Sequence, residues 1–112
     1  MPFALTLTLL RASWASSSAF NLATHVGDAN NYTIRKITPA GAVSTLAGTA
    51  GITGSTDATG AAARFNGPTG VATDSAGNVY VADAYNYTIR KIRPAGMVTT
   101  LAGTAGVAGS TD

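Results

Sequence analysis

The chain of 112 residues contains no cysteine and no glutamate, and only 11% of its residues are charged. Without cysteine there is no disulfide framework, zinc knuckle or thiol nucleophile. Without glutamate there is no HExxH zinc protease motif and no glutamate pair for glycoside hydrolysis. The formal net charge of +2 is too small for the dense basic stripe of a dedicated nucleic-acid binder. These absences exclude most enzyme mechanisms and make nucleic acid an unexpected partner.

Histidine and long apolar runs are also scarce. His25 is the only histidine and no Gly-x-Ser-x-Gly motif accompanies it, so we expect a surface or packing residue rather than a catalytic base. We predict no catalytic residue, no metal ligand and no cofactor. The apolar run at residues 3–10 is too short to span a bilayer, which takes about 20 residues. Two interpretations of this run stay open: the core of a secretion signal, or a strand with alternating leucines on one face.

What the sequence has in abundance is repetition. Residues 31–57 recur as residues 86–112, with a period of 55 residues and 22 identities among 27 aligned positions. The differences are Thr38/Arg93, Ala42/Met97, Ser44/Thr99, Ile52/Val107 and Thr53/Ala108. Such a period is typical of one supersecondary unit copied in series, where each unit buries its apolar faces against its neighbours. We divide the chain into an unmatched segment at 1–25, a partial unit with its linker at 26–57, and a complete unit with the start of the next linker at 58–112.

The complete unit reads as four short strands joined by tight turns. In "DSAGN", Asp74 can accept a hydrogen bond from the backbone two residues on, and Gly77 can take a positive φ. Pro94 ends the third strand and opens a second turn. The Gly-rich stretch 51–60 lacks the ending of a phosphate loop and is predicted to be a linker, followed by one helical turn that packs Phe65 against a sheet. Strands are predicted at 70–74, 78–83, 87–92 and 97–103, which gives an antiparallel meander.

The stretch "GVATDSAGNVYVADAYNYTIRKI" resembles the NHL repeat. The motif Asp-x-x-Asn-x-x-Ile stands at Asp83, Asn86 and Ile89, with a second copy at Asp28, Asn31 and Ile34. Tyr32 and Tyr87 stand where the family often has its histidine, so no role of that histidine is carried over. The resemblance covers residues 28–112 and extends to the long-period bacterial NHL arrays. It implies an all-β fold of four-stranded antiparallel blades, arranged as in a six-bladed β-propeller, that binds a protein or another extracellular ligand.

The chain holds fewer than two such units, whereas a propeller closes with about four to eight blades. We therefore expect either a part of a longer array or a subunit that completes a ring by self-association. Polar residues that recur with the period, or that form the turns, are interpreted as structural: Asp28, Asn31, Asp74, Gly77, Asp83 and Asn86. The composition does not decide localisation, and we favour an extracellular or periplasmic location.

The remaining candidates for ligand contact are cations and tyrosines that recur once per unit. They are Tyr32, Arg35, Lys36, Tyr87, Arg90, Lys91 and Arg93. Such residues could bind single-stranded RNA on one face of a propeller, through phosphate contacts and base stacking. The favoured interpretation is that they are solvated edge residues that prevent sheet pairing. We predict a non-enzymatic binding scaffold, with part of a lactonase-like or lyase-like propeller enzyme and an RNA-binding face as the alternatives.

Overall fold

A computed structural model describes residues 23–109, and within them the chain forms two antiparallel sheets. The predictions made for residues 3–10, and for most of the unmatched segment 1–25, lie outside the described residues. The first sheet has the order β1-β2-β3 and the second has the order β4-β5-β6-β7. The strands are β1 (Thr24–Asp28), β2 (Thr33–Ile37), β3 (Val43–Gly48), β4 (Pro68–Thr73), β5 (Val79–Asp83), β6 (Thr88–Ile92) and β7 (Val98–Ala102).

The second sheet is the predicted four-stranded meander, and its turns form as the sequence indicates. Between β4 and β5, Asp74 Oδ1 accepts hydrogen bonds from the backbone N–H of Ala76 at 3.0 Å and of Asn78 at 2.9 Å. Gly77 takes a φ of 87°, which costs glycine little and other residues more. In the turn between β6 and β7, the Gly96 N–H donates a hydrogen bond to the Arg93 carbonyl at 2.7 Å. Both turn predictions are confirmed.

The first sheet repeats the geometry of the second as well as its sequence. A one-turn 3₁₀ helix joins β1 to β2 at Ala29–Asn31, and another joins β5 to β6 at Ala84–Asn86. Each is followed by a tyrosine in the left-handed region, with φ of 62° at Tyr32 and 61° at Tyr87. A positive φ is uncommon for a bulky residue, so its recurrence shows that the backbone of the unit itself is copied. The residues that correspond to β4 are 13–18, outside the described part.

The core lies between the two sheets and along the linker that joins them. The second sheet approaches the first so closely that a side chain on Gly27 of β1 would meet the Pro68 carbonyl of β4 at 2.8 Å. The linker contributes a 3₁₀ turn at Gly60–Ala62 and then a buried Phe65, as predicted. Buried apolar residues are Ile34, Ala47, Ala63, Phe65, Val79, Val81, Ile92 and Val98. No helix among residues 23–109 is long and apolar enough to cross a membrane.

Candidate functional site

The largest fully buried side chain among the described residues is that of Arg90, which has no exposed surface. Its Nη1 donates to Asp83 Oδ2 at 2.8 Å and to the Arg64 carbonyl at 2.9 Å. Its Nη2 donates to Asp57 Oδ1 at 2.7 Å and to the Thr56 carbonyl at 3.0 Å. The guanidinium carbon also lies 4.9 Å from the centroid of the Phe65 ring, within the range of a cation–π contact. Arg90 therefore fastens the linker to the second sheet.

Asp57, Asp83 and Asn86 surround Arg90 or bond to its partners. We call these four residues the Arg90 cluster. Asn86 Nδ2 donates to Asp83 Oδ2 and to the Gly54 carbonyl, both at 2.7 Å. Burial acts to raise the pKa of Asp57, but the hydrogen bonds from Arg90 and Thr100 outweigh it and lower that pKa. The predicted structural role of Asp83 and Asn86 agrees with these contacts. Asp57 joins the linker to β7 as well, because the Thr100 backbone N–H donates to its Oδ2 at 3.0 Å.

Arg90 was predicted to be a surface cation, either in contact with a ligand or solvated at a sheet edge, and neither role fits its buried position. Arg90 is enclosed by the linker, so it can contact no ligand on the surface and is no solvated edge residue. The sequence pattern around Arg90 shows nothing of this, because its partner Asp57 lies 33 residues away. The copy of Arg90 in the first sheet is Arg35, which stands 3.6 Å from Asp28 and keeps about a third of its side chain exposed.

The other candidate residues are spread over different surfaces. Lys91 lies 5.8 Å above the Tyr80 ring, and the hydroxyl of Tyr80 donates to Asp74 Oδ2 at 2.9 Å. The hydrogen bonds from Asn78 and Tyr80 lower the pKa of Asp74 to about 2. Lys36 and Arg93 line one groove between the sheets, and Tyr32 lines another. The structure therefore brings only Lys36 and Arg93 together in one cavity.

Tyr87 belongs to a different surface, the outer side of the second sheet. We call this surface the free face and define it by Tyr87, Ile89, Leu101, Ala102 and Gly103. Each of these residues is exposed, and Ile89, Ala102 and Gly103 border an open cavity of about 360 Å³. Their copies in the first sheet lie against the second sheet and the linker, where a side chain added at Gly48 would meet the Phe65 ring at 3.3 Å. The sequence analysis did not single out this face. Once the interface between the two sheets is known, adding 55 to the residue numbers of the first sheet's buried face gives the residues of the free face.

The two antiparallel meanders pack face to face, and the three strands of the first repeat the last three of the second, as in neighbouring blades of a β-propeller. Residues 65–92, which include β4, β5 and β6 of the second sheet, match the family model of the NHL repeat. The resemblance that the sequence indicated is therefore confirmed, and so is the fold class. No curated protein matches the chain.

The solved structures that resemble the chain include proteins from Bacteroides thetaiotaomicron. One is a structural genomics protein of unknown function, 33% identical with a TM-score of 0.69, and the match covers 77% of this chain and 22% of that one. Another is an auxiliary nutrient binding protein, 23% identical with a TM-score of 0.64 over 72% of this chain and 23% of that one. The chain thus spans less than a quarter of the length of either structure.

Proposed function

We propose that the chain is a binding scaffold whose blade faces receive further blades, supplied by a second copy of the same chain. The observation that carries this proposal is the contrast between equivalent residues of the two sheets. Ile34 has no exposed surface because the second sheet covers it, whereas its copy Ile89 is 40% exposed. The free face therefore carries the same apolar residues that already form one blade interface in this protein. An apolar surface of this kind marks a site of association.

The opposite side of the first sheet is complementary to the free face. Val26 and Val43 of the first sheet are 39% and 55% exposed, whereas their copies Val81 and Val98 are almost fully buried. A second copy can therefore lay this side of its first sheet on the free face of its neighbour. Such a head-to-tail contact closes into a ring when the rotation between copies allows it. Three copies would supply about six blades, within the range that propellers use.

The alternative functions gain less support from the described residues. Burial removes Arg90 from any RNA-binding surface, and the pairing of Arg35 with Asp28 reduces the charge available to phosphate. Residues 23–109 hold no group of three potential metal ligands of the kind that a propeller enzyme would use. A lactonase-like or lyase-like activity and RNA binding stay predictions that binding and activity assays would test.

The test of the scaffold is the solution mass, measured by light scattering after size exclusion over a range of protein concentrations. We expect the wild-type chain to form oligomers and Ile89→Asp to shift the mass to the monomer. Ser75→Asp adds the same charge in an exposed turn away from the free face and should leave the mass unchanged. A far-ultraviolet spectrum of each peak checks that the variants keep their β structure. A wild-type chain that stays monomeric throughout, or an Ile89→Asp variant that keeps the wild-type mass, would overturn the proposal.

A further inference from the structure

A cavity of about 230 Å³ lies in the groove between the two blades, on the side of the turns that begin at Asp74 and Arg93. Both sheets contribute to its walls. The lining residues whose side chains carry nitrogen are His25 and Lys36 from the first sheet and Arg93, which directly follows β6. The rest of the lining, Ala23, Leu46, Gly77, Val79 and Pro94, is uncharged. We call this space the basic cavity.

The basic cavity concentrates positive charge in a chain that carries little charge elsewhere. His25 and Lys36 are directly opposite each other in the register of β1 and β2. No carboxylate lines the cavity among the described residues, and Lys36 makes no salt bridge within them. Two full cations that share one concave space without an acid repel each other, and an anion between them relieves that repulsion.

His25 adds a neutral hydrogen-bond donor to these two cations. Burial lowers the pKa of His25, and the neighbouring Lys36 lowers it further, so the imidazole is neutral at neutral pH. Its Nδ1 is buried and has no hydrogen-bond partner in the described part of the chain. We assign the imidazole proton to Nε2, because a proton on the buried Nδ1 would be a donor without a partner. The Nε2–H is then the donor that His25 can offer.

Two of the three lining residues with nitrogen in their side chains, His25 and Arg93, stand where the two copies of the repeat differ, whereas Lys36 has an identical copy at Lys91. His25 stands where the second unit has Tyr80, and Arg93 stands where the first unit has Thr38. Tyr80 donates its hydroxyl to Asp74, whereas the position that corresponds to Asp74 in the first unit is an alanine. Between residues 31–57 and 86–112 only five of 27 positions differ, so the blade fold that both copies share does not require an arginine at position 93.

From these observations we infer that the basic cavity binds a small oxyanion with two negative charges, held between Lys36 and Arg93 with His25 as a third donor. Phosphate and dicarboxylates share this chemistry, since each presents several anionic oxygens to charge-assisted hydrogen bonds from lysine and arginine. The anion would touch both blades and so bridge their interface. The site is separate from the free face, so its failure would leave the proposed self-association untouched.

The single histidine makes the test direct, because its ring signals in a nuclear magnetic resonance spectrum need no assignment. The wild-type chain is titrated at neutral pH and constant ionic strength with phosphate, with succinate and with acetate, and chloride is the control. We expect saturable shifts of the His25 ring signals with phosphate or succinate and much weaker binding of acetate. Which of the two dianions binds more tightly distinguishes a phosphoryl ligand from a dicarboxylate.

The repeat supplies matched variants for the same titration. Arg93→Thr restores the residue of the first unit at that position, and Lys36→Met removes the second cation; each should weaken binding about three- to tenfold. Lys91→Met removes the equivalent lysine of the second unit, which lies on Tyr80 outside the cavity, and should leave the affinity unchanged. Shifts that rise linearly without saturation, or a Lys91→Met variant that loses as much affinity as Lys36→Met, would overturn the inference.

Discussion

The strongest prediction concerns the two equivalent arginines, which have the same sequence context and opposite environments. Arg90 is fully buried between Asp83 and Asp57 at 2.8 Å and 2.7 Å, whereas Arg35 is about one-third exposed and lies 3.6 Å from Asp28. Arg90→Met leaves the buried carboxylate of Asp83 without its cation. Removal of one partner of a buried ion pair costs about 3 to 5 kcal/mol. Loss of an exposed pair costs about 0 to 1 kcal/mol, so Arg35→Met should be nearly silent.

The measurement is the free energy of unfolding of both variants and the wild type in urea, followed by far-ultraviolet circular dichroism. A small domain has only about 5 to 15 kcal/mol of stability, so Arg90→Met should remove a large part of it. The double variant Arg90→Met with Asp83→Asn should be more stable than Arg90→Met alone, because no uncompensated charge then remains buried. Equal losses for Arg90→Met and Arg35→Met would refute the reasoning, and so would a double variant less stable than Arg90→Met.

Further expectations concern the turns and the core. The pKa of Asp74 is lowered to about 2, so its stabilising contribution is present above the ordinary carboxyl pKa of about 4 and is lost as the pH falls toward 2; thermal midpoints over this range should therefore drop less steeply in Asp74→Ala than in the wild type. Gly48→Ala should lower the free energy of unfolding more than Gly41→Ala. Both glycines have a φ near 90°, which costs alanine about 1 to 2 kcal/mol. Only at Gly48 does the new methyl group also collide with a backbone atom, the Tyr32 carbonyl oxygen. Phe65→Ala should cost about 3 to 5 kcal/mol in urea unfolding, and a value below 1 kcal/mol would mean that the linker does not hold the blades together.

Much of the fold could be predicted from the sequence because it is written in local patterns. Turn residues such as Asp74 and Gly77 act on neighbours a few residues away, and the strands between them follow from short apolar bursts. The 55-residue period then showed that the unit is copied. These signals can be interpreted without knowing which surfaces of the sheets pack together.

The sites could not be predicted in the same way, because they depend on contacts between units. Arg90 meets Asp57 through the path of the linker, and a repeated Arg-Lys pair looks the same whether its arginine is buried or exposed. His25 and Arg93 are far apart in sequence and come together only in the groove between the blades. The one sequence signal was the replacement of Thr38 by Arg93 between the two copies, and it gains meaning only when Arg93 is seen to line a cavity with Lys36.

The copied interface also has a consequence for how such a chain can change over generations. The face that Ile34 presents to the second blade is chemically the same as the face that Ile89 presents to solvent, and the first part of the linker, residues 49–57, is copied as residues 104–112. Gain or loss of one whole 55-residue unit by recombination within the copied segment therefore keeps the same apolar face at the junction between neighbouring blades. A deletion of any other length would bring unmatched surfaces together. Variation in the number of units is thus the genetic step that this architecture tolerates best.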